Sequence, residues 1–219
     1  MKTISIIAFL VLQTAARADY IIQERIEHNQ TPQQEATIKL KAGKARCDIG
    51  TAMSVISQGD EITMLMHSEK TAMKMPVRAV QSMMKNQKAA DATSHPTMQP
   101  TGEKEKISGF DTEEYVHDNP TLKSKTHFWI AKDFPDKTEI IKMLGAIQSP
   151  MTRQMMHAAG AVAPEDYPGL PIRTEVETNF TGKPSKTIIT ITSIKKEPVD
   201  DSVFAVPSDY RSARLPGKE

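Results

Sequence analysis

The chain has 219 residues, with 28 Lys and Arg against 27 Asp and Glu, a formal charge of +1 at neutral pH. A near-neutral surface with no basic cluster gives no electrostatic reason to expect nucleic acid or an anionic membrane as a partner. Cys47 is the single cysteine, so a disulfide framework is excluded and packing alone must hold the core of what the length predicts to be one domain.

The first element is an export signal. Lys2 supplies a positive start, residues 4–12 are apolar apart from Ser5, and Ala16-Arg17-Ala18 stands directly before Asp19. That layout predicts a signal peptide over residues 1–18, cleaved between Ala18 and Asp19. The apolar run is shorter than the roughly 20 residues a membrane span needs. Cleavage removes Lys2 and Arg17 and no acid, so 28 basic residues become 26 against 27 acidic, a formal charge of −1. No cysteine stands at the cleavage point to be lipidated, and no second long apolar stretch follows. The expected protein is soluble and periplasmic or extracellular, with no transmembrane segment after cleavage.

Strands come next. Tyr20, Ile22, Glu24 and Ile26 alternate with Gln23, Arg25 and Glu27. Residues 36–41 alternate as well, and the turn at residues 42–44 leads into residues 45–49, where Cys47 takes an alternating position that favours burial. Residues 53–58 and 61–67 follow across Gly59-Asp60. Such short runs joined by turn residues predict an antiparallel meander. Pro76 is placed to open a helix, with Val77, Val80 and Met84 on one stripe. Residues 89–101 are rich in Ala, Thr, Ser, Pro and Gln and predict a loop.

Strands are expected again at residues 103–108, 110–117 and 122–132. Asp136 and Glu139 then fit a capping box ahead of the stripe Ile140, Leu144 and Ile147. Ser149-Pro150 restarts a helix to about residue 159, and a Pro- and Gly-rich loop covers residues 160–171. Ile172, Thr174, Val176, Thr178 and Phe180 face one way along a clear strand, which turns at Gly182 into residues 185–195. The last residues, 213–219, read as a frayed tail beyond a domain spanning residues 19–212.

These elements predict an α+β fold: a curved antiparallel sheet, an unclosed half-barrel, with helices packed across its concave face.

Several residues taken in order carry a resemblance. They are Thr101-Gly102-Glu103, Ile107-Ser108-Gly109-Phe110 and Tyr115, then Phe128-Trp129-Ile130-Ala131-Lys132-Asp133, and finally Val206-Pro207-Ser208-Asp209-Tyr210. The pattern resembles an uncharacterised family of bacterial secreted proteins, a domain of unknown function. That family is itself similar to the lipoprotein-carrier group of LolA- and LolB-like proteins. Many of its members carry a cysteine shortly before the Tyr115 position, where Thr112 is the nearest counterpart here. The resemblance implies the half-barrel over about residues 20–212 and an apolar pocket. It implies no reaction, because function does not transfer with a fold.

Chemistry-bearing patterns are sparse. None of His28, His67, His95, His117, His127 and His157 has zinc-ligand spacing; His117 and His127 are placed to meet across the Asn119-Pro120 turn. No nucleophile elbow, phosphate-binding glycine loop or partnered Cys is present. The expectation is therefore no enzyme, no cofactor and no catalytic residue. Methionine is the compositional oddity, with 13 in the chain. Met64 and Met66 share a strand face, as do Met73 and Met75, while Met83-Met84 and Met155-Met156 fall in the helical regions. Three readings stand open: core filler, an adaptable apolar lining, and soft thioether ligands for Cu(I).

The leading expectation is a non-enzymatic carrier for an apolar ligand, a lipid or a lipidated segment. Its candidate lining is Met64, Met66, Phe128, Trp129, Met143, Leu144 and Met155. The alternative is an envelope protein that docks a protein partner through the sheet surface or residues 89–101, and copper handling is third.

Overall fold

Residue-by-residue alternation does build strands through most of the chain. The computed structural model describes residues 18–29, 31–59, 61–76, 97–120, 122–146, 160–179 and 183–213. The strands are β1 (Tyr20–His28), β2 (Gln34–Lys41), β3 (Lys44–Ile49), β4 (Met53–Gln58), β5 (Glu61–Met66), β6 (Thr71–Pro76), β7 (Gln99–Ile107), β8 (Phe110–Asn119), β9 (Ser124–Ala131), β10 (Leu170–Thr178), β11 (Ser185–Lys196) and β12 (Arg211–Ala213). Among the described residues one α-helix, α1 (Lys137–Ala146), lies between β9 and β10.

The 12 strands among the described residues share one sheet, ordered β12-β6-β5-β4-β3-β2-β1-β11-β10-β9-β8-β7. The two outer strands are β12 and β7, so the sheet is open. It consists of two meanders, β1–β6 and β7–β11, zipped together by the antiparallel pair β1 and β11. Every pairing is antiparallel except β12 with β6.

Among the described residues the fold is mostly β, so the open antiparallel sheet is as expected and the helical cover of the α+β layout is supported only in part. Of the expected helices only α1 falls among the described residues; those read from Pro76 and from Ser149 lie outside them. Among the described residues irregular chain supplies further cover over the sheet. Residues 160–169 pack Val162 and Tyr167 on Tyr115, Phe128 and Ile130. Residues 197–210 lay Val199, Phe204, Val206 and Tyr210 over Ile56, Leu65 and Ala72.

That second segment runs as a strap from β11 across the first meander. Asp19 accepts from the Val199 amide, Lys41 and Lys44 pair with Asp201, and Arg46 donates to the Val203 carbonyl. Farther on, Gln58 donates to the Phe204 carbonyl, Tyr210 meets His67, and Lys70 pairs with Asp209. Strand β12 then seats beside β6, with the Arg211 amide on the Lys70 carbonyl at 2.8 Å.

Local departures have local causes. Strand β7 begins at Gln99, inside the expected loop, because Gln99 and Pro100 pair with Val116 and Tyr115 of β8. Pro100 is tolerated there since β7 is an edge strand. In the β7–β8 hairpin, Ser108 and Gly109 both have positive φ, 51° and 87°, which matches the right-handed strand twist in a two-residue turn. A bulge sets Gln23 opposite Ser193 but Glu24 opposite Ile191. Thr192 is left outside the ladder, and Thr190 and Ile191, on opposite faces, are both buried.

Candidate functional site

The first meander fixes its side chains in rows. Its strands are in register, and directly paired residues share a face. One row runs Ile22, Ile38, Cys47, Val55, Met64, Met73 from β1 to β6. The row on one side is Tyr20, Leu40, Ala45, Ser57, Ile62, Met75, and on the other Glu24, Ala36, Ile49, Met53, Met66, Thr71. The face is therefore almost wholly apolar and carries methionines from three adjacent strands.

Helix α1 covers the β1–β3 end. Ile140, Met143 and Leu144 pack with Tyr20, Leu40 and Ala45. The buried Tyr20 hydroxyl donates to Glu139 at 2.8 Å. Burial above all, and that bond next, push its pKa up to about 12. Asp136, the other acid of the expected capping box, takes Lys196 at 3.0 Å. Met53, Met64, Met66, Met73 and Met75 are half-buried, and none joins a core cluster among the described residues.

Two ionisable groups interrupt the apolar rows beyond Tyr20. Burial raises the carboxyl pKa of Glu24. Burial first, then the Glu24 and Asp48 charges, push the Cys47 thiol up to about 11. A thiol with that pKa is about one part in a thousand thiolate at pH 8, and only the thiolate attacks. Native Cys47 should react with an aromatic disulfide reagent at least about a hundredfold more slowly than the guanidinium-unfolded chain; equal rates would show an open, activated thiol.

The other face of these strands is polar at its centre. Asp48 accepts from Ser54 at 2.6 Å and from Lys39 at 3.0 Å, and also takes Arg46. Ser54 lies 2.8 Å from His67 Nε2, and Tyr210 contacts Nδ1 of the same ring. The Ser–His pair is not a nucleophile and base: Ser54 is 0 % exposed and its hydroxyl donates to Asp48. The cluster fastens the strap to the sheet.

The six sequence candidates among the described residues fall in three places. Met64 and Met66 lie on the methionine face. Met143 and Leu144 sit on α1 against the β1–β3 end. Phe128 is buried with Tyr115, Ile130 and Val162, 5.5 Å from the Tyr167 ring. Trp129, on the opposite face of β9, packs against the same core cluster as Met143 and Leu144, with the Arg173 guanidinium 4.7 Å from its ring centroid. Met155 is outside the described residues. Met53, Met73 and Met75 complete the face, although the sequence shows only the Met73–Met75 pair and an isolated Met53; register through the β4–β5 and β5–β6 turns was the missing signal.

His117 and His127 do not meet. His117 pairs with Thr126 and His127 with Val116, so the rings leave opposite faces of the sheet. His117 bonds the Thr97 and Gly160 carbonyls, and His127 bonds Glu114 at 2.8 Å. No group of three or more His, Cys, Asp or Glu able to hold a metal occurs among the described residues. Nor is any helix among them long and apolar enough to cross a membrane.

Two clefts flank α1. One of about 540 Å³ lies between the helix and residues 165–169, lined by Ile141, Gly145, Tyr167 and Gly169. The other, about 480 Å³, lies against the β2–β3 turn and is lined by Gly43, Pro135, Glu139 and Met143.

No curated protein matches the chain. Among solved structures, an uncharacterized conserved protein from Thermus thermophilus is 9 % identical, covers 91 % of each chain and superposes with a TM-score of 0.52. It shares the fold. A LolA superfamily protein from Nitrosomonas europaea is 8 % identical over 86 % of this chain and 90 % of its own, with a TM-score of 0.37. A DUF1329 family protein from Desulfovibrio piger is 10 % identical over 88 % and 91 %, with a TM-score of 0.33. Both of these are looser likenesses. The family itself is settled by sequence: residues 20–210 match the domain of unknown function DUF4412, and the chain belongs to that family.

Proposed function

We propose that the protein is exported through its N-terminal signal and acts outside the cytoplasm as a non-enzymatic carrier of an apolar ligand, a lipid or a lipidated segment. One observation supports this above the others: the β4–β6 half of an apolar sheet face is lined by Met53, Met64, Met66, Met73 and Met75, half-buried and outside the described core clusters. Unbranched thioether side chains repack around irregular apolar shapes at little cost. On this reading the sheet curves as a half-barrel around the ligand, with α1 across one end.

Mass spectrometry of the protein purified without detergent from its native envelope tests the reading. The expected result is a co-purified acyl lipid at near-stoichiometric amount, reduced at least about tenfold by Met64→Glu, since a charge placed in an apolar site costs several kcal/mol. A stoichiometric protein partner without lipid would overturn it in favour of docking.

A further inference from the structure

We propose that Met64, Met66 and Met73, with Met53 and Met75 beside them, form a thioether site for a soft monovalent metal ion, Cu(I). The register carries this. Met64 is the direct cross-strand partner of Met73, and Met53 of Met66. Met64 and Met66 are two residues apart on β5, as Met73 and Met75 are on β6, so all five side chains leave one face. Directly opposed residues have Cβ atoms about 4.5–5.5 Å apart, and alternate residues of a strand lie about 6.5–7 Å apart. Methionine places its sulfur on a flexible unbranched arm. The diagonal Met66–Met73 spacing is about 7–8 Å, so side-chain rotation is enough to turn the three sulfurs of the Met64–Met66–Met73 triangle toward one ion.

The surrounding chemistry selects the ion. Thioethers are soft, neutral donors that favour Cu(I) over Mg²⁺, Ca²⁺ or Mn²⁺. No clustered His or carboxylates compete among the described residues. Glu24 stands in the Met53–Met66 row but three strands from Met53, about 14 Å at the usual strand spacing. Cys47, two strands from Met64, holds its proton at neutral pH, which leaves a thioether-only set suited to reversible rather than locked binding. The site is independent of lipid carriage, although the two would share a face.

The test is an anaerobic Cu(I) titration of the purified chain against a chromogenic Cu(I) chelator. Methionine-methyl NMR with Ag(I), the redox-stable analogue, runs beside it. The expected result is one ion bound with a dissociation constant below about a micromolar, and methyl shifts confined to Met53, Met64, Met66, Met73 and Met75. The double variant Met64→Leu, Met73→Leu conserves volume and should keep its thermal midpoint while losing at least about a hundredfold in metal affinity. Met98→Leu, in another core cluster, should change nothing. Absence of binding below micromolar, or unchanged affinity in the double variant, overturns the site. Lipid co-purified with the unaltered chain is scored separately, so lipid without Cu(I) binding overturns this site alone, and Cu(I) binding without lipid overturns the carrier reading alone.

Discussion

Gly169→Ala is expected to cost about 3 kcal/mol of stability, at the upper end for inserting a methyl group into packed structure. A Cβ at this position would lie 2.5 Å from the Ala131 carbonyl oxygen, 2.8 Å from Cα of Lys132 and 2.8 Å from Cγ2 of Ile130. Two of those atoms are backbone, so no side-chain rotation relieves the overlap. The neighbouring pair Leu170 and Ala131 anchors the start of β10, and both residues are buried. Gly169 also lines the cleft beside α1, so the strain falls where the second meander meets the helix. Urea unfolding should show the midpoint falling by more than about 1 M for a protein of this size. A shift under about 0.3 M would mean that the two strands separate at this end at little cost.

Asp48→Asn is the second large effect. Asp48 accepts from Ser54, Arg46 and Lys39, and its side chain is 21 % exposed. Burial by itself would raise its carboxyl pKa, but the bonds from Ser54, Arg46 and Lys39 and the Arg46 charge outweigh it and hold the pKa below the ordinary 3.8. The amide removes the charge and leaves both cations without their shared partner. Truncating one member of a buried ion pair costs about 3–5 kcal/mol; partial solvent access reduces that here to about 2–3 kcal/mol.

The pH dependence has a definite sign. A carboxylate with a depressed folded-state pKa stabilises fully above the unfolded pKa, and that contribution disappears as pH falls through the folded value. The gap between wild type and Asp48→Asn should therefore be full at pH 6 and shrink below about pH 4. A gap that stays constant down to pH 2 would show that Asp48 acts by shape and not by charge. Because Arg46 and Ser54 also hold the strap through Val203 and His67, the variant should loosen residues 199–210 first, visible as faster amide exchange there.

The strands were largely legible in the sequence, and β4 matches its expected bounds of residues 53 and 58. Alternation with period two is a local property, set by the side chains of one segment and the turn residues that bound it. The type I′ turn at Ser108-Gly109 is local in the same sense. Strand β12 is different: Arg211-Ser212-Ala213 has no strong strand pattern and pairs only because the strap delivers it to β6. Helix α1 was likewise readable, whereas the partners of its capping acids, Tyr20 and Lys196, lie far away in the chain.

The methionines show where local reading stops. By itself, the sequence determined that the chain carries a signal-like start, a single cysteine, an alternating strand pattern and Met-x-Met steps at 64–66 and 73–75. Tertiary structure alone decided that those steps face each other, with Met53 opposite Met66 and Glu24 and Cys47 on the same face. The physical reason is register. A one-residue slip would send every side chain of a strand to the opposite face, and register depends on turn geometry and on which strands pair. The pairing of β1 with β11 closes most of the chain into a loop, and no window of local sequence contains it.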